Sequence, residues 1–196
     1  MHQPLHIVIL AAGKGTRMYS ALPKVLHRIG GQTMLERVID TAQSLSPQSI
    51  NVVIGHGKEQ VREQVQREGI RWVEQTEQLG TGHAVQTALP HLGNTGRTLV
   101  LYGDVPLINR ATLEELLQAA GNEIGLLTDI PPNPFGVGRI IREANGQVAA
   151  IVEEKDATPE QKAIRETNTG IFVLPNAPLA RWLGSLSSNN AQGEYY

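Results

Sequence analysis

The chain alternates short apolar runs with stretches in which apolar residues return every three or four positions. His6-Ile7-Val8-Ile9-Leu10 is an apolar run after one histidine, closed by small residues, as expected of a parallel strand buried on both faces. Met34, Leu35, Val38, Ile39 and Ala42 recur at helical spacing, with Asp40 and Gln43 between them. Asn51-Val52-Val53-Ile54 predicts a second strand, stopped by Gly55-His56-Gly57, and Val61 and Val65 mark one face of a helix rich in Glu, Gln and Arg. Arg71-Trp72-Val73 predicts a third strand, and His83 to about Leu89 a helix ended by Pro90. Thr98 to Tyr102 is the strongest strand pattern; Gly103-Asp104 closes it, and a helix through Leu113, Leu116 and Leu117 follows. Strands alternating with helices imply an α/β fold, a Rossmann-like, mostly parallel sheet with flanking helices and right-handed crossovers.

The pattern changes after Thr128. Pro131, Pro132 and Pro134 interrupt it, then Asn145-Gly146 separates two strand-like runs, a strong hairpin signal with Val148 to Val152 as the return strand. A short helix is expected around Pro159 to Ile164 and a further strand over Thr169 to Leu174. This part reads as a small β-rich insertion lobe lying over the sheet, within a single domain spanning residues 1–196.

Composition narrows the classes of function. Hydrophobic residues make up 40% and charged residues 18%, a folded rather than disordered profile, and aromatics are only 4%, so the core must rest on aliphatic side chains. A formal net charge of -2 gives no general pull towards nucleic acid or anionic membrane, so any phosphate binding must be local. The absence of cysteine excludes disulfides and thiolate metal sites. With no signal-peptide pattern and no run long enough to span a bilayer, the expectation is a cytoplasmic protein.

In such sheets ligands bind beyond the carboxyl ends of the strands, near the point where strand order reverses. Three loops there carry chemistry. Leu10-Ala11-Ala12-Gly13-Lys14-Gly15-Thr16-Arg17 lets backbone approach a bulky anion, while Arg17 offers a forked donor and Lys24, after Pro23, a compact charge. The segment lacks the third glycine of the dinucleotide fingerprint and the Gly-Lys-Ser/Thr of the Walker loop. Asp104, just past a buried strand and after Gly103, suits Mg²⁺, which takes oxygen ligands; a turn or helix-cap aspartate is the plain alternative. Gln75 and Gly80-Thr81 suit recognition of a pyrimidine edge, with a surface amide and a helix cap as the alternative. His83 reads as a helix-facing structural residue. Glu153 and Asn168 end strand-like runs and could bind sugar hydroxyls, though such residues are usually only solvated.

Leu10 to Met18 with Pro23-Lys24 resembles the signature of sugar nucleotidyltransferases. The strings Leu22 to His27, Glu77 to Ala84, Leu101 to Leu107, Ile151 to Asp156, Asn168 to Gly170 and Asn189 to Tyr196 narrow this to the bacterial N-acetylglucosamine-1-phosphate uridyltransferase family. The resemblance implies a nucleotide-diphospho-sugar transferase fold, with residues 1–128 binding nucleotide and 129–175 binding sugar. It implies uridylyl transfer from UTP to N-acetylglucosamine 1-phosphate, giving UDP-N-acetylglucosamine and pyrophosphate with Mg²⁺ as cofactor.

By the same resemblance Leu10, Ala11, Ala12 and Gly13 hold the nucleotide, Gln75, Gly80 and Thr81 read uracil, and Arg17 and Lys24 act in catalysis on the triphosphate. Asp104 ligates Mg²⁺ beside Tyr102 and Gly103, and Gly138, Glu153 and Asn168 contact the amino sugar and its ribose-linked partner. The family's second half, a β-helix with acetyltransferase activity that drives trimerisation, has no counterpart in the sequence. The family's second Mg²⁺ ligand, an asparagine, also lies beyond Tyr196. The expectation is a monomeric or weakly associated chain of reduced or lost turnover. A nucleotidyltransferase for another triphosphate and a non-catalytic nucleotide-sugar-binding module are the competing readings.

Overall fold

A computed structural model describes residues 3–15, 18–188, 190 and 193–195 of the chain. β1 (Leu5–Ala11) forms the centre, paired in parallel with β4 (Ser49–Ile54) on one side and β6 (Arg97–Tyr102) on the other. β5 (Ile70–Glu74) extends the parallel part beyond β4. The alternation of side chains along β1 explains its unbroken apolar run. Ile7, Ile9 and Ala11 enter one core layer, and Val8, Leu10 and Ala12 enter the other.

The first layer is closed by α1 (Met34–Ser44), α2 (Lys58–Gln64) and α4 (Arg110–Ala120), which contribute Leu35, Val38, Ile39, Val61 and Leu113. The second is closed by α3 (Thr81–Ala88), through Ala84, Val85 and Ala88. α1 begins with a capping box: Thr33 accepts from the Glu36 N–H, and the Glu36 carboxylate accepts from the Thr33 N–H. Before it, β2 (Arg28–Ile29) and β3 (Gln32–Thr33) form a separate two-stranded hairpin.

The remainder is antiparallel. β7 (Gly125–Asp129), β8 (Arg139–Arg142) and β9 (Val148–Val152) join the same sheet through β10 (Thr167–Pro175), which pairs with β6, β7 and β8. The β8–β9 hairpin forms where Asn145-Gly146 predicts it, with Gly146 at φ +85°. The expected lobe over the sheet is instead a continuation of the sheet, because β10 returns along β6 and carries the hairpin at its edge. α5 (Pro159–Lys162) and α6 (Asn176–Gly184) complete the chain.

Chain order places the candidate site. From β1 the chain moves outward to β4 and β5, then returns to the opposite side of β1 as β6, so strand order reverses between β1 and β6. Register pairs Ala11 with Ile54, Leu10 with Tyr102 and Ile54 with Glu74, so the carboxyl ends of all four parallel strands share one rim. β10 runs the other way. Its start, at Thr167 and Asn168, therefore comes to that rim as well.

Candidate active site at the sheet rim

A cavity of about 520 Å³ lies at this rim. It brings together Leu10, Ala11, Ala12 and Gly13 after β1, Lys24, Gln75 after β5, Gly80 and Thr81 at the start of α3, and Tyr102 and Asp104 after β6. Among the described residues, a Cβ on Gly13 would meet no atom within 4 Å, which leaves room there for a bulky ligand. α3 points its amino end at the cavity, where the helix dipole favours an anion.

Lys24 is held by its neighbours. It opens a 3-10 turn, Lys24–Leu26, in which Val25 and Leu26 are buried and Leu26 donates to the Pro23 carbonyl at 2.9 Å. Pro23 in turn lies so close to Gly57 that a Cβ there would stand 2.5 Å from its Cγ. The Lys24 ammonium pairs with Asp104 at 2.5 Å, their side chains 36% and 26% exposed. Neither end is deeply desolvated, so the pair contributes little to stability and leaves both groups accessible from the cavity.

Gln75 is 4% exposed and donates from its amide to the Gly80 carbonyl at 3.3 Å, with His83 Nδ1 3.0 Å away. His83 thereby orients Gln75. Sequence reasoning assigns it only a structural place, and only the fold shows what it supports. Gly193 to Tyr195 lie within the string Asn189 to Tyr196 that carries part of the family resemblance; the Tyr195 backbone makes two contacts with the loop before α3 and its first turn. It donates from the Tyr195 N–H to Leu79 O at 2.8 Å and accepts from the Gly82 N–H at 2.7 Å, strapping the Gly80–Thr81 loop. Glu194 lines the cavity from this strap.

Glu153 and Asn168 line a second, larger space of about 860 Å³, which shares the lining residues Thr81, Tyr102 and Glu194 with the first. Asn168 is aimed by an irregularity in β10: the register with β7 shifts between Asn168 and Phe172, and Asn168 Oδ1 accepts from the Gly170 N–H at 2.8 Å. Glu153 lies over Gly138, where a Cβ would stand 2.8 Å from its Oε1, and the Asn168 N–H donates to the Gly138 carbonyl at 2.8 Å. Gly138, Glu153 and Asn168 are thus one local cluster. Burial, with Asp156 as a lesser cause, raises the Glu153 carboxyl above its ordinary pKa. Burial also raises the Tyr102 phenol, against a hydrogen bond with Thr81 that lowers it.

Three expected positions differ from the rest: Gly138, packed against Glu153, is like Gly103 in lining neither cavity. Gly103 lines neither cavity; a Cβ there would press on Leu35, Ala11 and Val25 at 3.1 to 3.3 Å, so the glycine serves close packing beneath the rim. Arg17 lies outside the described residues.

The description MobA-like NTP transferase domain matches residues 7–160 of the chain. The chain belongs to this family. The matched part carries β1 through α5 and so includes the whole rim cavity apart from Glu194. This member is 73% identical over 192 residues to the bifunctional protein GlmU of Neisseria meningitidis serogroup A, and 62% identical over 192 residues to that of Chromobacterium violaceum. Each alignment covers 98% of the chain but 42% of the relative, so the chain spans less than half the length of these proteins. Among solved structures, a UDP-glucose pyrophosphorylase complexed with UDP-glucose superposes with a TM-score of 0.77 at 16% identity, over 97% of this chain and 82% of that one. A putative glucose-1-phosphate thymidylyltransferase from Bacillus anthracis gives 0.72 at 20% identity, over 90% and 73%. At such identities these two establish the shared fold alone, a mixed α/β sheet with flanking helices.

Proposed function

We propose that this NTP transferase transfers the uridylyl group of UTP to N-acetylglucosamine 1-phosphate, releasing pyrophosphate and forming UDP-N-acetylglucosamine. The observation that carries the reading is the wall at Thr81 and Tyr102, shared by a phosphate-suited cavity and a second one lined by Glu153 and Asn168. Two substrates joined at one phosphorus need two such subsites with a shared wall. The high identity to GlmU proteins supports the choice of uridine nucleotide and N-acetylated sugar.

A phosphate oxygen of the sugar phosphate attacks the α-phosphorus of UTP. The bond from that phosphorus to the bridging oxygen breaks, and pyrophosphate leaves with the electron pair. Protein chemistry then consists of positioning and charge stabilisation, since the attacking oxygen is already ionised near neutral pH. Gln75 and the Gly80–Thr81 loop hold the base, Leu10 to Gly13 follow the phosphates, and Lys24 offsets charge as it shifts towards the leaving group. Arg17 joins Lys24 in this role on sequence grounds alone. Gly138, Glu153 and Asn168 hold the acceptor sugar.

The donor set fits Mg²⁺. Among the described residues no group of three or more His, Cys, Asp or Glu could hold a metal ion alone, whereas Mg²⁺ is commonly bound by one or two carboxylates plus substrate phosphates. Among the described residues two carboxylates line the cavity, Asp104 and Glu194, and the metal is assigned to Asp104, which lies beside Lys24. When bound, such an ion would neutralise charge on the transferred and leaving phosphates.

The deciding assay is pyrophosphate release with UTP, dTTP, CTP or GTP against N-acetylglucosamine 1-phosphate and glucose 1-phosphate. UTP with the N-acetylated acceptor is expected to give the highest kcat/KM. Preference for another triphosphate overturns the assignment. Calorimetric binding of UDP-N-acetylglucosamine without turnover in excess Mg²⁺ identifies a nucleotide-sugar-binding module instead.

A further inference from the structure

The acceptor end of the site hangs from the main sheet by few backbone rungs. β8 meets β10 at one register pair, Thr167 with Arg139, supported by Asn168 N–H to Gly138 O at 2.8 Å and Ile140 N–H to Glu166 O at 3.0 Å. What ties this edge together is the side chain of Arg139, 2% exposed and absent from the walls of both cavities. Its Nε donates to Ile164 O at 2.9 Å, Nη1 donates to Val137 O, and Nη2 donates to Glu154 Oε2 at 2.7 Å and Lys162 O at 3.4 Å. One planar fork thus joins the turn before β8, the turn after β9 and the segment after α5. Glu154 extends the knot by accepting from the Gly136 N–H at 3.3 Å.

A buried ion pair adds little net stability, because desolvation offsets most of its attraction. Its consequence here is geometric. Glu154 follows Glu153, and Val137 precedes Gly138, so the guanidinium fixes the spacing between Glu153, which lines the larger cavity, and Gly138, which packs against it. The structure assigns Arg139 as a positioning residue for acceptor-sugar binding. The assignment rests on the reading that Gly138, Glu153 and Asn168 receive the sugar. A lysine keeps the charge but cannot donate in three directions from one plane.

The test is Arg139→Lys in the full chain, with Glu154→Gln as a milder second variant that keeps an acceptor oxygen for Nη2. Loss of a charge-assisted bond predicts a KM for N-acetylglucosamine 1-phosphate raised about tenfold in R139K and less in E154Q, with KM for UTP within about twofold of wild type. Equal rises in both KM values would overturn the assignment and leave Arg139 a general structural residue, as would no change in either. Hydrogen exchange supplies a readout that needs no substrate. Amides of Gly138 and of Glu153 to Asp156 are expected to exchange faster in R139K than in wild type, while those of β1 and β6 stay protected. Unchanged exchange at these amides refutes the positioning role by itself. A wild-type chain that neither turns over nor binds UDP-N-acetylglucosamine refutes the functional reading instead.

Discussion

Gly170 is where the two halves of the sheet touch, and replacing it with alanine should test that joint. Gly170 has φ +77°, and a Cβ there would stand 2.6 Å from both Cε2 and Oη of Tyr102. Two costs follow. Left-handed backbone costs a non-glycine residue about 1–2 kcal/mol. Displacing a packed aromatic ring adds about 1–3 kcal/mol. G170A should therefore lose about 2–5 kcal/mol, which for a chain of this size lowers Tm by roughly 5–15 °C.

Gly146→Ala separates the two terms. Gly146 has φ +85°, but a Cβ there meets nothing within 4 Å, so G146A bears the backbone cost without the clash. Urea unfolding of both variants gives the difference, expected at about 1–3 kcal/mol. The same displacement should raise KM for both substrates, since Tyr102 and the Thr81 hydroxyl it bonds line both cavities. A G170A protein no less stable than G146A would refute the claim that Tyr102 is pinned against Gly170.

Three further outcomes are expected. Lys24→Met should change stability by less than about 1 kcal/mol, since its partnership with Asp104 is partly exposed, yet lower kcat about 10²-fold in the pyrophosphate assay. His6 is buried, with Nδ1 2.8 Å from Ser49 Oγ, and burial lowers its pKa below the ordinary 6.5. The folded chain therefore binds fewer protons than the unfolded one as pH falls below that value, so stability should drop in acid, and His6→Gln should flatten the drop in urea midpoints across that window. For Glu153 the sign reverses: a raised pKa means the acid form is favoured on folding, and stability is lost as pH rises past the ordinary carboxyl value of 4.5. Glu153→Gln should then be more stable than wild type at neutral pH but not at acid pH, while binding the acceptor more weakly.

The parallel half of the fold was legible because its strands are buried on both faces and its helices on one. Those two periods differ, and the sequence between β1 and α4 shows both plainly. β7 was missed because only Gly125 is buried in it, so Gly125 to Asp129 carries no clear alternation; its strand exists through pairing with β10, distant in sequence. α6 was missed for a similar reason, with only Asn176 and Leu179 buried and a proline near its start. The hairpin was visible in Asn145-Gly146, but its attachment was not, because one register pair through Thr167 decides whether it lies over the sheet or extends it. Among site residues, the loops after β1, β5 and β6 announced themselves by composition. Glu194 and His83 did not. Each acts through a partner far along the chain or across a helix turn, and an isolated Glu or His carries no such signal.

The reversal of β10 explains why Asn168 reaches the same rim as the loops of the parallel strands. A purely parallel sheet would bring its loops to one rim but would need another crossover helix to deliver each further group. An antiparallel strand beside β6 delivers its beginning to that rim directly, so Asn168 arrives next to Tyr102 without any added helix. Side chains of a regular strand alternate between the two faces of the sheet, so a shift of register there changes the face that Asn168 takes. The irregularity between Asn168 and Phe172 is that shift, and Gly170 is the residue that lets it occur against an aromatic ring. On the proposed reading, donor and acceptor subsites share a wall as a consequence of strand direction. The proposed acceptor cluster, by contrast, relies on Arg139, because β8 meets β10 at one register pair.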